Sequence, residues 1–120
     1  MAGKLAKEKR RNIILDTHCS ISTPGGYLPG LPLASLQKWR VERLVLLTAP
    51  IDDVLGRRKN DTGRVRDAET PQALAEHDQM NRAYLAAYSA LTGAPAIILV
   101  NANGKLAWVQ ERFRALLALG

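Results

Sequence analysis

The residues with the clearest chemical potential form one basic run. Arg57, Arg58, Lys59, Arg64 and Arg66 crowd a short polar stretch that also holds Asn60, Asp61, Thr62, Gly63 and Asp67. Arginine offers a planar, permanently charged fork that matches phosphoryl oxygens two at a time. Several arginines on one loop can close over a polyphosphate and offset charge as it spreads in a transition state. The same run reads equally as a solvated charged loop, with Arg66 and Asp67 as a loop-closing ion pair.

A second constellation is Asp16-Thr17-His18, directly after the apolar run Ile13-Ile14-Leu15. A carboxylate at a strand end can reach Mg²⁺, directly or through a water. It serves as well as a helix cap or a loop acceptor. His18 has the chemistry of a general base, but phosphoryl transfer depends mostly on positioning and charge stabilisation, so a structural hydrogen bond suits it better. His77 falls near the apolar stripe of a long helix and reads as a packing residue. Cys19 is the only cysteine, so no disulfide forms within the chain. Cys19 and His18 are adjacent and lack two further ligands, which excludes a tetrahedral zinc set.

These residues must be held by an alternation of strands and helices. The runs at 13–15, 44–47 and 96–100 are short and wholly apolar, as strands buried on both faces of a parallel sheet are. Residues 1–11 read as a short helix. Residues 23–32, rich in proline and glycine, read as a structured loop, and 33–39 as one or two helical turns. Pro50 suits the first turn of a helix running to about Lys59. Residues 60–69 lack an apolar period and read as a loop. Thr70 caps a helix with Pro71 at its first position. Its stripe is Leu74, Met80, Tyr84, Tyr88 and Leu91, and Gly93 stops it. Asn103-Gly104 is a turn, and Leu106, Val109, Phe113 and Leu116 mark a last helix. Strand–helix repetition of this kind predicts right-handed crossovers and an α/β fold, three-layered with a parallel sheet. Ligands then bind beyond the carboxyl ends of the strands. Residues 16–18, 48–50 and 101–104 lie at those ends.

The 120 residues fit one small domain. The net charge of +6 suits an anionic partner, whether nucleotide, nucleic acid or membrane surface. Part of the excess lies in Lys4, Lys7, Lys9, Arg10 and Arg11, a solvated face or tail. No apolar run approaches the roughly 20 residues of a membrane-spanning helix, and no signal-peptide pattern is present. With a lone cysteine, the expected location is the cytoplasm. Only 5% of residues are aromatic and none lies near the basic groups, which argues against RNA.

Asp16-Thr17-His18, Ile21, Thr23-Pro24 and Gly26-Tyr27-Leu28-Pro29-Gly30-Leu31-Pro32 resemble the archaeal-type adenylate kinase pattern DTH..IKTP.GYLPGLP. Arg57-Arg58, Asp61, Arg64 and Arg66-Asp67 resemble that family's lid, RR..D..R.RD. Glu76-His77, Met80-Asn81-Arg82-Ala83 and Leu91-Thr92-Gly93-Ala94 resemble EEHQ.MNRAA…LTGA. The blocks follow family order over nearly the whole chain. Ser22 stands where the family has lysine, Thr62-Gly63 replaces Glu-Thr, and Pro95 follows the third block.

The resemblance implies a P-loop kinase-like fold and reversible phosphoryl transfer, ATP plus AMP giving two ADP, with Mg²⁺. It implies Arg57, Arg64 and Arg66 as lid arginines on the phosphates, within a lid of about 57–69. Thr17, Thr23, Gly26, Tyr27, Arg58, Asn101 and Gly104 become nucleotide-binding, and Asp16 stands near Mg²⁺ through water. The 23–32 segment shapes the AMP side, and the loop at 101–105 lies by the adenine of ATP. It also implies a homo-oligomer, typically a trimer.

No G-x-x-x-x-G-K-[ST] run occurs in the sequence. In the family that motif follows the first strand, so the chain reads as the C-terminal two-thirds of a single, partial kinase domain. On this reading the 120 residues are inactive alone. The motif's strand belongs at the sheet centre, between those at 13–15 and 44–47, so its loss leaves open edges. A non-catalytic nucleotide- or RNA-binding module and a domain completed by a partner are the alternatives.

Overall fold

A computed structural model describes residues 14–59 and 70–119. The expected helix at 1–11 and the loop at 60–69 lie outside the described residues. The elements run β1 (Ser20–Thr23), β2 (Gly26–Pro29), α1 (Leu33–Lys38), β3 (Leu44–Thr48), α2 (Ile51–Lys59), α3 (Pro71–Thr92), β4 (Ala96–Val100) and α4 (Leu106–Leu119).

The core is a parallel pair, β3 beside β4, in the register Leu44↔Ala96 to Thr48↔Val100. Side chains alternate across a strand, and both faces here are apolar. Leu44 and Leu46 point to one face and pack with Leu36 of α1, Leu85 and Tyr88 of α3, and Ala94. Leu99, Val45 and Ile97 point to the other and pack with Val109, Phe113 and Leu116 of α4. The sheet is thus a middle layer between α1 with α3 and α4. It is an α/β fold with a parallel sheet, compatible with the P-loop kinase class.

Helix α3 is capped as its sequence dictates. The Thr70 hydroxyl accepts the Ala73 N–H at 3.0 Å, Pro71 occupies the first turn, and Gly93 closes the helix at φ 76°. Its buried face departs from the expected stripe. Leu85 and Tyr88 are buried, whereas Leu91 is 60% exposed and lines an open cleft with Leu36, Trp39 and Val41. Leu106 is likewise exposed, at the first residue of α4.

Three further expectations are corrected. Ile14 and Leu15 form no strand, and Ile13 lies outside the described residues. A strand exists only where a neighbour supplies its ladder, and β3 and β4 make a sheet of two among the described residues. Residues 23–32 are not one loop: β1 and β2 form an antiparallel hairpin from Ser20↔Pro29 to Thr23↔Gly26. Pro24-Gly25 is its two-residue turn. Pro50 precedes α2, accepting the Val54 N–H with its carbonyl at 3.0 Å, and is not in the first turn.

Leu99, 2% exposed, is the best-buried side chain of the α4 face. Leu99→Ala is expected to remove about 2–5 kcal/mol of stability. Urea unfolding is the measurement: the midpoint should drop with the slope unchanged, and a loss under about 1 kcal/mol contradicts this packing.

Candidate functional site

The parallel ladder brings two chain segments together at its carboxyl end. Beyond β3 the chain turns at Ala49-Pro50 into α2. Beyond β4 it forms the loop at 101–104. The ladder continues one step past β4, with the Asn101 N–H donating to the Thr48 carbonyl at 2.7 Å. Gly104 takes φ 79°, and the Lys105 N–H closes the turn on the Ala102 carbonyl at 3.0 Å. Gly104 suits this turn because side chains rarely adopt that backbone region.

Helix α2 reaches across to this loop with two side chains one turn apart. The Asp53 carboxylate accepts the Asn103 N–H at 2.8 Å. Arg57 donates through Nε to Asn103 Oδ1 at 3.0 Å and through Nη2 to the Asn101 carbonyl at 3.0 Å. Asp52 and Asp53 also suit the positive end of the helix dipole.

A second tie joins the same strand end to α3. Thr48 Oγ1 donates to Asp78 Oδ1 at 2.6 Å, and Arg82 Nε donates to Asp78 Oδ2 at 2.8 Å. Partial burial works to raise the Asp78 carboxyl pKa. The Thr48 hydrogen bond and the Arg82 contacts outweigh it, so the net shift is downward from 3.8.

The hairpin is hung on α3 from the other side. Ser20, buried, donates its hydroxyl to Asn81 Oδ1. Cys19 Sγ donates to the Asn81 carbonyl at 3.1 Å, and burial pushes its thiol pKa up. The Tyr88 hydroxyl donates to the Cys19 carbonyl at 2.6 Å and accepts the Leu31 N–H at 3.3 Å. Tyr84 donates to the Tyr27 carbonyl at 3.1 Å. The Tyr27 ring lies 5.2 Å from the His77 ring, the packing role expected of His77. Partial burial, then the Glu76 carboxylate, push the Tyr27 phenol pKa up. The Thr23 hydroxyl donates to the Gly26 carbonyl at 2.6 Å, with Gly26 at φ 130°.

The residues expected from sequence therefore fall in three places. Arg57, Asn101 and Gly104 meet at the carboxyl ends of β3 and β4. Thr23, Gly26 and Tyr27 belong to the hairpin. Asp16 and Thr17 are exposed in the irregular segment before β1 and take no part in the network around Arg57. Arg58 is in the last turn of α2, while Arg64 and Arg66 lie outside the described residues. Asp53 and Asp78 are added by the structure, which also gives Asn103, already placed in the 101–104 loop, its partners. The i,i+4 spacings Asp53–Arg57 and Asp78–Arg82 were the available signals, but the loop and strand they reach are distant in sequence.

Among the described residues no group of three or more His, Cys, Asp or Glu side chains gathers to hold a metal ion. Among the described residues no helix is long and apolar enough to cross a membrane.

A parallel sheet between helical layers, with a polar constellation at its carboxyl end, is the arrangement of α/β domains, whose ligands bind beyond the carboxyl ends of the strands. The sequence profile of the AAA domain family matches residues 1–75, and the chain belongs to that family. It is similar to adenylate kinases of archaea. It is 44% identical to that of Methanothermobacter thermautotrophicus over 107 residues, which is 88% of this chain and 58% of the relative. The Methanopyrus kandleri adenylate kinase is 44% identical over 105 residues, 87% of this chain and 54% of the relative. That of Thermoplasma volcanium is 45% identical over 105 residues, 85% of this chain and 58% of the relative. The chain thus spans little more than half the length of the curated relatives it matches.

Two expectations test this architecture. A Cβ built on Gly30 would lie 1.7 Å from the His18 carbonyl oxygen, so Gly30→Ala must push apart the segment where Gly30 N–H bonds Cys19. A stability loss of about 2 kcal/mol or more is expected in urea unfolding, and a neutral variant contradicts the close approach. Asp78 contributes stability above its unfolded pKa near 3.8, and this is lost as pH falls through its lower folded value. Asp78→Asn should therefore flatten the acid limb of the urea midpoint below about pH 4. An unchanged acid limb contradicts the role of the Thr48 and Arg82 contacts.

Proposed function

We propose that the chain supplies the ATP-base side, the AMP side and the lid of an adenylate kinase site. The reaction is Mg²⁺-dependent phosphoryl transfer between ATP and AMP, giving two ADP. The relatives, named adenylate kinase, support the reaction. The observation that carries the reading for this chain is the fork of Arg57 on the Asn101 carbonyl and the Asn103 side chain, where β3 and β4 both end.

Phosphoryl transfer asks the protein for positioning and for positive charge. On this reading Arg57, Arg64 and Arg66 supply the charge from a lid at about 57–69. Thr17, Arg58, Asn101 and Gly104 contact the nucleotides, with Thr23, Gly26 and Tyr27 on the hairpin side. Asp16 holds Mg²⁺ through water. The protein works in the cytoplasm as a homo-oligomer, a trimer by family resemblance.

The 120 residues contain no Walker A lysine and loop to cradle the β- and γ-phosphates. The 120 residues alone are therefore expected to bind ATP without turning it over. In a coupled assay the pure chain should show no ADP formation from ATP, AMP and Mg²⁺, and its ATP titration should saturate and weaken with salt. Measurable turnover, or a flat titration, sinks the proposal. Joined behind a strand–P-loop–helix unit, the same residues are expected to gain turnover. A fusion that binds both nucleotides and stays inert counts against the assignment of the reaction.

A second reading, a domain completed by another strand, is favoured by the outer edge of β3. Leu44 and Thr48 direct their ladder groups to β4, so Val45 and Leu47 direct theirs away from it.

A further inference from the structure

We propose that Asp53 is a positioning residue for base recognition: with Arg57 it fixes the 101–104 loop in the shape that reads adenine. The inference rests on the adenylate kinase reading above. Its own evidence is the way the loop is tied. The Asn101 backbone is held at its N–H by Thr48 and at its carbonyl by Arg57. The Asn103 N–H is held by Asp53 and its side chain by Arg57. The turn bond from Lys105 to Ala102 closes the far side. Asp53 and Arg57 are opposite charges at i,i+4, a spacing that commonly yields an ion pair. Here both reach the loop instead.

The loop itself explains what it would read. Asn101, Ala102, Asn103 and Gly104 carry no charge and offer neutral amide donors and acceptors. Those suit the edge of a base, and Arg57, the cation beside them, turns its Nε and Nη2 to Asn103 and Asn101. Beside Gly104, the space a Cβ would enter is open, with nothing within 4 Å. A loop fixed before its ligand arrives loses less freedom on binding, and that difference is read as affinity. The carboxylate is the anchor of this arrangement, because Asp53 alone holds the Asn103 N–H through a charge-assisted bond.

The test compares ATP, GTP and inorganic tripolyphosphate binding to the 120-residue chain and to Asp53→Ala and Asp53→Asn, with circular dichroism to check folding. Asp53→Ala should weaken ATP binding about tenfold and erode the preference for ATP over GTP. Tripolyphosphate affinity should stay within about twofold, because it has no base to lose. Asp53→Asn keeps an acceptor oxygen and should recover most of the ATP affinity. Unchanged ATP affinity and base preference in Asp53→Ala overturn the inference alone. A parallel fall for ATP and tripolyphosphate, or a wild type that does not distinguish ATP from GTP, also overturns it. A wild-type chain that binds no ATP sinks the adenylate kinase reading and this inference with it.

Discussion

The parallel ladder between β3 and β4 is the constraint from which the rest follows. It pairs residues about fifty positions apart, Leu44 with Ala96 and Thr48 with Val100. Parallel strands end together, so the start of α2 and the loop after β4 are forced to be neighbours. Nothing local in either segment would bring Asp53 to Asn103. The apolar character of both faces drives the pairing, since each strand can bury its side chains only if helices cover it above and below. Helix α3 covers β3 through Leu85 and Tyr88, and α4 covers β4 through Val109 and Leu116.

Helix α3 does more than cover the sheet. It carries Asp78 to the carboxyl end of β3, and it carries Asn81, Tyr84 and Tyr88 to the hairpin. Two candidate nucleotide sides are thereby mounted on one rigid rod of 22 residues. The Tyr88 hydroxyl shows how tightly: it bridges the carbonyl of Cys19 and the N–H of Leu31, the two ends of the hairpin. A buried hydroxyl with both roles filled costs little, whereas leaving the Leu31 N–H unpaired would cost about 1–3 kcal/mol; the Cys19 carbonyl also accepts the Gly30 N–H.

What the sequence made legible was whatever depended on neighbours in the chain. The caps at Thr70 and Gly93 rest on local backbone chemistry, and both stand. The apolar runs at β3 and β4 announced buried strands because each is apolar at every position. The run at 13–15 has the same look, yet Ile14 and Leu15 are not in a strand, because a ladder partner is not a local property. The hairpin was hidden for the opposite reason. Ser20, Ser22 and Thr23 lack apolar alternation, and Pro24 and Gly25 read as loop, so only the contacts with α3 reveal the strands. Asn101 and Gly104 could be placed from the sequence after a strand, and Arg57 in a basic run leaving a helix, but not the contact that brings them together. Asp53 escaped notice because its role lies in a contact with a residue fifty positions away.

The exposed apolar residues of the sheet carry one more consequence. Leu47 is 57% exposed although Leu46 beside it is 7% exposed. It points to the face that α4 covers, where Val45 packs against the Val109 and Leu116 cluster while Leu47 stays exposed. The adjacent edge of β3 has no lysine, proline or bulge to blunt it. An uncovered leucine and an unprotected edge on the same side of one strand are best satisfied together, by a strand on the edge and a helix over Leu47. A parallel strand laid there would end beside Thr48, at the carboxyl end where Arg57 and the 101–104 loop already meet. Among the described residues no strand lies on that edge of β3, and covering it with a parallel strand would bring the loop that follows such a strand to the site.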